Sequence, residues 1–360
     1  MTNPIEEKIK VGITQGDING IGMEVIIKTL LDNKIVELCT PIVYGSPKVV
    51  AYHRKALNIP NFSLNNIKGP EEANPKRANI INVLDDNVRV ELGKSTQMAG
   101  ESSFLALEKA VADLRDGKID VLVTAPINKH NIFSENFKFT GHTEYITSIC
   151  NPQGSSLMLM VGHQLKIGVL TNHVPVNQIA ALVTEERIME KLRIMNQTLL
   201  EDFGIAKPTI AVLGLNPHAG DNGLIGSEEQ NIIIPALEKA RKENIMALGP
   251  FSADGLFGSG NFSKFDAILA MYHDQGLIPF KALVFDEGIN FSAGLPVIRT
   301  SPAHGTAYEI AGENKASETS FRSALYLAID IYHNRKQYKE IVKNQLKQED
   351  IQELLDKVGE

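Results

Sequence analysis

Short apolar runs alternate with amphipathic stretches along most of the chain. The runs at 10–14, 41–44, 80–83, 121–124, 157–161, 167–171, 210–215 and 265–271 are short and apolar and predict strands. The stretches at 23–31, 100–116, 185–203, 228–243 and 319–334 predict helices. In the third of these, Ile188, Leu192, Met195 and Leu199 recur at helical spacing and fall on one face. Strands alternating with helices predict a mostly parallel sheet covered on both sides, an α/β fold. The charged tail at 336–360 keeps Ile341, Leu346, Ile351, Leu354 and Leu355 in a helical pattern, so it predicts one or two peripheral helices. No repeat, low-complexity tract or linker rich in Pro, Gly or Ser divides the chain.

The ends of the predicted strands carry the chemistry. His173 follows the run at 167–171 in Thr171-Asn172-His173. His218 follows the run at 210–215 in Asn216-Pro217-His218-Ala219-Gly220. His273 follows the run at 265–271 in Met271-Tyr272-His273-Asp274-Gln275-Gly276. A single histidine is more often a hydrogen-bonded surface or core residue than a ligand. Three of them after strands, among Gly, Asn and Asp, form the pattern of a catalytic metal site, because α/β sheets gather ligands outside the carboxyl ends of their strands. Neutral imidazole is a common zinc ligand, and catalytic zinc keeps one position open for water or substrate. Asp274 is placed to fix the tautomer of His273. His53, His130, His163 and His333 lack such surroundings.

Four further segments stand out. Thr14 to Glu24, with Gly16, Gly20 and Gly22, joins a strand to a helix. It reads either as an anion-binding helix start or as a tight structural turn with Asp17 as a local cap. It is neither a Walker A loop nor G-x-G-x-x-G. Thr124-Ala125-Pro126-Ile127-Asn128-Lys129 closes a strand, and Gly141-His142-Thr143-Glu144 follows as a loop-to-helix junction. There, His142 and Thr143 are either substrate donors or a solvated histidine beside a cap. Lys281, Asn290 and Arg299 are spaced as successive loop or strand-end donors, a set suited to phosphate or carboxylate. Ala303 to Gly312 is a Gly-bracketed loop whose His304 and Glu309 suit an adenosine.

Composition narrows the classes. A chain of 360 residues exceeds one ordinary core, so two domains are expected. The net charge of −7 argues against a general nucleic-acid footprint and leaves room for a local cation cluster facing an anionic substrate. The two cysteines, Cys39 and Cys150, have no metal-type spacing and suit a reducing, cytoplasmic setting. The polar start of the chain is not a signal peptide, and no apolar run reaches the roughly 18 residues of a membrane span.

Together these strings resemble the 4-hydroxythreonine-4-phosphate dehydrogenase family, from Val11 to about Ser323. The likeness rests on the Gly16-Asp17 and Gly20-Ile21-Gly22 loop, the 124–129 and 141–144 segments, the His218 and His273 segments, and Gly294-Leu295-Pro296 with Arg299-Thr300-Ser301-Pro302. The first loop and the string His304-Gly305-Thr306-Ala307 with Glu309-Ile310-Ala311-Gly312 also resemble the wider isocitrate and isopropylmalate dehydrogenase group. The resemblance implies two α/β/α domains with a cleft between them, not a Rossmann fold, roughly 1–130 plus 275–360 and 131–274. It implies that His173, His218 and His273 bind a divalent metal, Zn²⁺ or else Mg²⁺ or Co²⁺. It implies that His142, Thr143, Lys281, Asn290 and Arg299 bind substrate, and that His304, Gly305 and Glu309 meet NAD. A homodimer with its site at the subunit interface follows from the same likeness.

The implied reaction is NAD-dependent oxidation of 4-phosphooxy-L-threonine at C3, then decarboxylation to 3-amino-2-oxopropyl phosphate, in pyridoxal phosphate (vitamin B6) biosynthesis. Asp254, in a polar loop before the His273 strand, is the candidate base. Several positions depart from the family pattern: Ile18-Asn19 in place of Pro-Ala, Met23 in place of Pro, Ala303 in place of Asp, and Glu309 where Asp is common. These concern the cofactor more than the reaction. One rival is a sister enzyme acting on erythronate or threonate 4-phosphate. Another is a three-histidine zinc hydrolase, against which the missing His-Glu-x-x-His and the His304 loop both weigh. A phosphorylated-metabolite binding protein without catalysis is a third.

Overall fold

The computed structural model describes residues 8–134, 137–139 and 141–343. Among the described residues twelve strands form one mixed sheet. One half holds β1 (Lys10–Thr14), β2 (Thr40–Gly45), β3 (Asn65–Ile67), β4 (Asn79–Asn82) and β5 (Val121–Thr124), in the order β3-β4-β2-β1-β5 and parallel throughout. The other half holds β6 (Leu157–Gly162), β7 (Leu165–Thr171), β8 (Thr209–Leu213), β9 (Met246–Phe251) and β10 (Ala267–Tyr272). Here β7-β10-β8-β9 are parallel, and β6 lies antiparallel on β7. The last two strands, β11 (Ile289–Ala293) and β12 (Ile298–Pro302), join the halves. β12 lies parallel to β5, while β11 is antiparallel to both β12 and β6.

The burial pattern explains why these segments pair as they do. β1, β2 and β5 are buried on both faces almost without a break, which is why they read as continuous apolar runs rather than alternating ones. Helices cover them. The helix Gln97–Arg115 starts where Thr96 accepts from Ala99 N (3.3 Å) and packs against β1, β2 and β5. The helix Glu185–Glu201 is capped by Thr184 and buries Ile188, Met189, Leu192, Met195 and Leu199. The long helix Thr319–Lys343 lies across β12, β5 and β11, under the seam between the halves.

All eight expected strands are present, with ends shifted by at most two residues. The expected helix at 228–243 is divided into a π-helical turn, Glu229–Ile233, and an α-helix, Ile234–Lys242. The helix expected to end at 334 continues to Lys343, and the rest of the expected tail helix lies outside the described residues. Two corrections bear on function. Asn290 and Arg299, expected in loops or at strand ends, stand inside β11 and β12, at the centre of the sheet. Lys281, expected likewise, is on the helix His273–Leu283. The mixed α/β fold with a large sheet is as expected. Among the described residues no helix is long and apolar enough to cross a membrane.

Candidate active site

Where the sheet reverses direction, a cavity of about 280 Å³ opens. Its wall takes residues from the ends of β5, β7 and β10, from β11 and β12, and from the start of the helix His142–Cys150. The structure brings together His142, Thr143, His173, His273, Lys281, Asn290, Arg299, His304 and Gly305 on this wall. His218, Asp254 and Glu309 do not line it and are exposed.

Arg299 is the electrostatic centre. It is 2% exposed, and its side chain is held by three hydroxyls. Nε and Nη2 donate to Thr124 Oγ1 at 3.1 and 2.6 Å, while Nη1 donates to Ser292 Oγ at 3.3 Å and Thr143 Oγ1 at 3.4 Å. Among the described residues no carboxylate lies within ion-pair distance. Burial pulls the guanidinium down to about 9, and the more distant Glu144 opposes that shift. A buried cation bonded only to neutral groups is costly unless an anion completes it.

The neighbours are also incomplete. Among the described residues His142 Nε2, Asn172 Oδ1, Asn290 Oδ1 and His304 Nε2 are buried atoms without a hydrogen-bond partner, and all four residues line the cavity. Buried polar groups are nearly always paired, so four orphans around one space mark a place shaped for a polar ligand. Burial, then Arg299 and Lys129, keep the His142 imidazole well below its ordinary value of 6.5, so it is neutral and able to bond without charge. Burial lowers His304 as well.

At the rim the ring centroids of His173 and His273 are 5.9 Å apart. His273 Nδ1 lies 2.7 Å from Asp274 Oδ1, a contact that favours a proton on Nδ1 and a free lone pair on Nε2. Lys129 Nζ is 3.2 Å from His173 Nε2. Burial, followed by Lys129, lowers the His173 pKa. These two imidazoles suit a divalent metal, but among the described residues no three His, Cys, Asp or Glu side chains gather into a metal-binding group. His218 sits instead on the turn Pro217–Gly223, facing solvent. Asp254 is its neighbour. The Ser252 hydroxyl donates to the Asp254 carboxylate and lowers its pKa, and His218 adds to that shift.

The first loop is a structural turn. Asp17 is fully buried and accepts from Asn19 N (2.9 Å), Asn131 Nδ2 (2.8 Å) and the Tyr308 hydroxyl (2.7 Å). Ile21 N donates to Thr306 O at 3.0 Å, so the helix start there is filled by the 303–312 loop, and a Cβ on Gly20 would stand 2.7 Å from that carbonyl. Sequence reasoning assigned no role to Thr124, Ser292, Lys129 or Glu144. The first two anchor Arg299, and all but Ser292 line the cavity. Thr124 ends a predicted strand and Glu144 stands two residues from His142, while Ser292, inside β11, carried no such signal.

The sequence profile of the Pyridoxal phosphate biosynthetic protein PdxA family matches residues 37–328. The chain belongs to the PdxA family. A PdxA relative from Bacteroides thetaiotaomicron, a 4-hydroxythreonine-4-phosphate dehydrogenase, is 55% identical over 345 residues, covering 96% of this chain and 94% of the relative. An Oceanobacillus iheyensis protein, provisionally named a D-threonate 4-phosphate dehydrogenase, is 37% identical over 331 residues, 91% of this chain and 99% of its own. The crystal structure of 4-hydroxythreonine-4-phosphate dehydrogenase from Klebsiella pneumoniae superposes with a TM-score of 0.77 at 33% identity, covering 92% of this chain and 99% of that one. Isocitrate dehydrogenase from Methylococcus capsulatus shares the fold alone, with a TM-score of 0.51 at 11% identity over 93% of this chain and 89% of its own. The PdxA fold is thus of the isocitrate dehydrogenase type expected from the first loop and the His304 loop.

Proposed function

We propose that this chain oxidises 4-phosphooxy-L-threonine at C3 with NAD and a divalent metal, and that the β-keto acid product loses CO₂ to give 3-amino-2-oxopropyl phosphate. The observation that carries this reading is Arg299, a buried cation without a carboxylate partner among the described residues, facing the same cavity as His142 Nε2 and Asn290 Oδ1, which are likewise unpaired among them. An anionic substrate with polar groups along its length completes all three. Arg299 receives one anionic end, and Lys281, exposed on the cavity wall, adds a point charge. Neutral His142, with Thr143 and Asn290, fixes the substrate's orientation, so that binding energy holds the C3 hydrogen toward the cofactor. When bound, the metal supplies Lewis acidity that lowers a hydroxyl pKa, and NAD supplies the hydride acceptor.

His173 and His273 are the donors one chain brings to the cavity, and Asp274 orients the second. The protein acts as a homodimer in this reading. His218 and Asp254, adjacent and exposed, complete the cavity of a second copy, one as third metal donor and the other as candidate base. Large apolar side chains exposed beside the histidine segments suit such a contact: Val176 (83%), Leu224 (82%) and Ile278 (66%). His304 and Gly305 hold the cofactor near the cavity. Residues 1–130 with 275–360 and residues 131–274 act as the two domains, and the cytoplasm is the setting.

The test is turnover. Purified protein is mixed with 4-phosphooxy-L-threonine, NAD and Zn²⁺ or Mg²⁺, and NADH absorbance is followed. NADH forms, and chelation abolishes it. Full activity in a chelated, metal-free enzyme rejects the metal. The name of the Oceanobacillus iheyensis relative favours a second reading, oxidation of threonate 4-phosphate. A substrate lacking the amino group and turned over equally well selects that reading.

A further inference from the structure

From His218 to Asn222 five successive residues take positive φ, at 54, 50, 80, 41 and 56°, and only Gly220 among them is a glycine. L-residues visit this region singly, not in runs. A strained run persists only where its surroundings over-determine it, and it points to a purpose. What holds it is Glu229, 1% exposed, the first residue of the π-helical turn. Its Oε1 accepts from Leu215 N and Asn216 N, both at 2.7 Å, and its Oε2 accepts from Asn216 Nδ2 at 3.0 Å. A Cβ on Gly220 would stand 2.5 Å from Oε2, so the turn is folded directly onto this carboxylate. Among the described residues no cation pairs with Glu229. Its charge is spread over amide donors that lead into the His218 turn.

The clamp continues sideways. Gln275 Nε2 donates to Gly214 O at 2.7 Å, one residue before the clamped amides, and Gln275 Oε1 accepts from Met271 N at 2.7 Å. Thr171 Oγ1 donates to Met271 O at 2.8 Å. One hydrogen-bonded line therefore ties together the three segments that carry His173, His273 and His218.

We propose that Glu229 is a positioning residue that locks the left-handed turn presenting His218, and that Gln275 sets this turn in register with the His273 segment. The proposal rests on the reading that His218 is a metal donor. An imidazole on a turn free to relax offers its lone pair in many directions, and a donor contributes affinity only when its orientation is fixed in advance.

The test titrates Zn²⁺ alone into metal-free wild type, Glu229→Gln and Gln275→Met by calorimetry, with amide exchange of residues 215–223 followed in the same metal-free proteins. Both variants bind Zn²⁺ roughly 10–100-fold more weakly. Their 215–223 amides exchange faster without metal, Gln275→Met keeps the wild-type circular dichroism, and raised Zn²⁺ restores turnover. Variants that bind Zn²⁺ as tightly as wild type overturn the proposal, whatever their exchange. If Glu229→Gln does not fold, Gln275→Met decides by the same criterion. A wild type that binds no Zn²⁺ rejects the metal reading and this proposal with it; a wild type that binds beside variants that bind equally well rejects this proposal alone.

Discussion

Two buried polar regions on the same sheet differ in one respect. Around Asp17 the donors close on acceptors within the chain: Asn19, Asn131 and Tyr308 surround the carboxylate, and Asn128 Nδ2 reaches the Tyr308 hydroxyl at 3.1 Å, while the buried Asn131 Oδ1, without a partner among the described residues, lies off the cavity wall. Around Arg299 the hydroxyls of Thr124, Thr143 and Ser292 leave the charge uncompensated, and nearby orphan atoms border the same space. The first region holds loops together; the second, in the proposed function, receives an anion. The glycine-rich loop looks more like a ligand site in sequence, yet its geometry is spent on fastening residues 303–312. Incomplete pairing gathered around one cavity, not glycine content, separates a site from a scaffold.

The comparison breaks most visibly in stability. Asp17→Ala strands one buried and two half-buried donors, so it costs roughly 3 kcal/mol of folding stability by denaturant titration. A loss below about 1 kcal/mol would make the two regions alike. Arg299→Met has the opposite profile. It removes an uncompensated buried charge, so stability holds or rises, while kcat/KM falls by about 3 kcal/mol, roughly 10²-fold. Marked destabilisation with activity retained would turn Arg299 into scaffold.

A pH series sharpens the contrast. Burial holds His142 and His304 below their ordinary value of 6.5. As pH falls through that value the unfolded chain takes up protons that the folded chain refuses. Their contribution to stability is thus fully present above about 6.5 and is lost below it. Melts between about pH 7 and pH 5 decline for wild type and less steeply for His142→Asn. An equal slope would mean that His142 titrates freely.

The smallest effect concerns Glu309, which is exposed and off the cavity wall. An exposed acid is worth at most about 1 kcal/mol. Wild type prefers NAD to NADP in kcat/KM, and Glu309→Gln narrows the ratio by no more than about fivefold. An unchanged ratio removes Glu309 from cofactor choice.

What was legible in the sequence follows the same division. β1, β5 and β7 were plain because strands buried on both faces must be apolar. β11 and β12 were not, because Asn290, Ser292, Arg299, Thr300 and Ser301 break the apolar run. Those residues are polar at the centre of a sheet because some of them wall a cavity. The helix His273–Leu283 was hidden by Gly276 and Pro279, both poor helix formers. β9, with Gly249 and Pro250, was masked in the same way. Most of the polar side chains that line the cavity were readable from strand ends and family likeness. The place of His218, Asp254 and Glu309 outside the cavity was not, because no sequence pattern records which loop turns toward solvent.

The central claim is that an anion completes Arg299. A crystal structure with 4-phosphooxy-L-threonine tests it most directly. The account predicts an anionic oxygen of the ligand within hydrogen-bond distance of the Arg299 guanidinium, with His142 Nε2 and Asn290 Oδ1 no longer without partners. A ligand bound elsewhere, with Arg299 still bonded only to Thr124, Thr143 and Ser292, would contradict it.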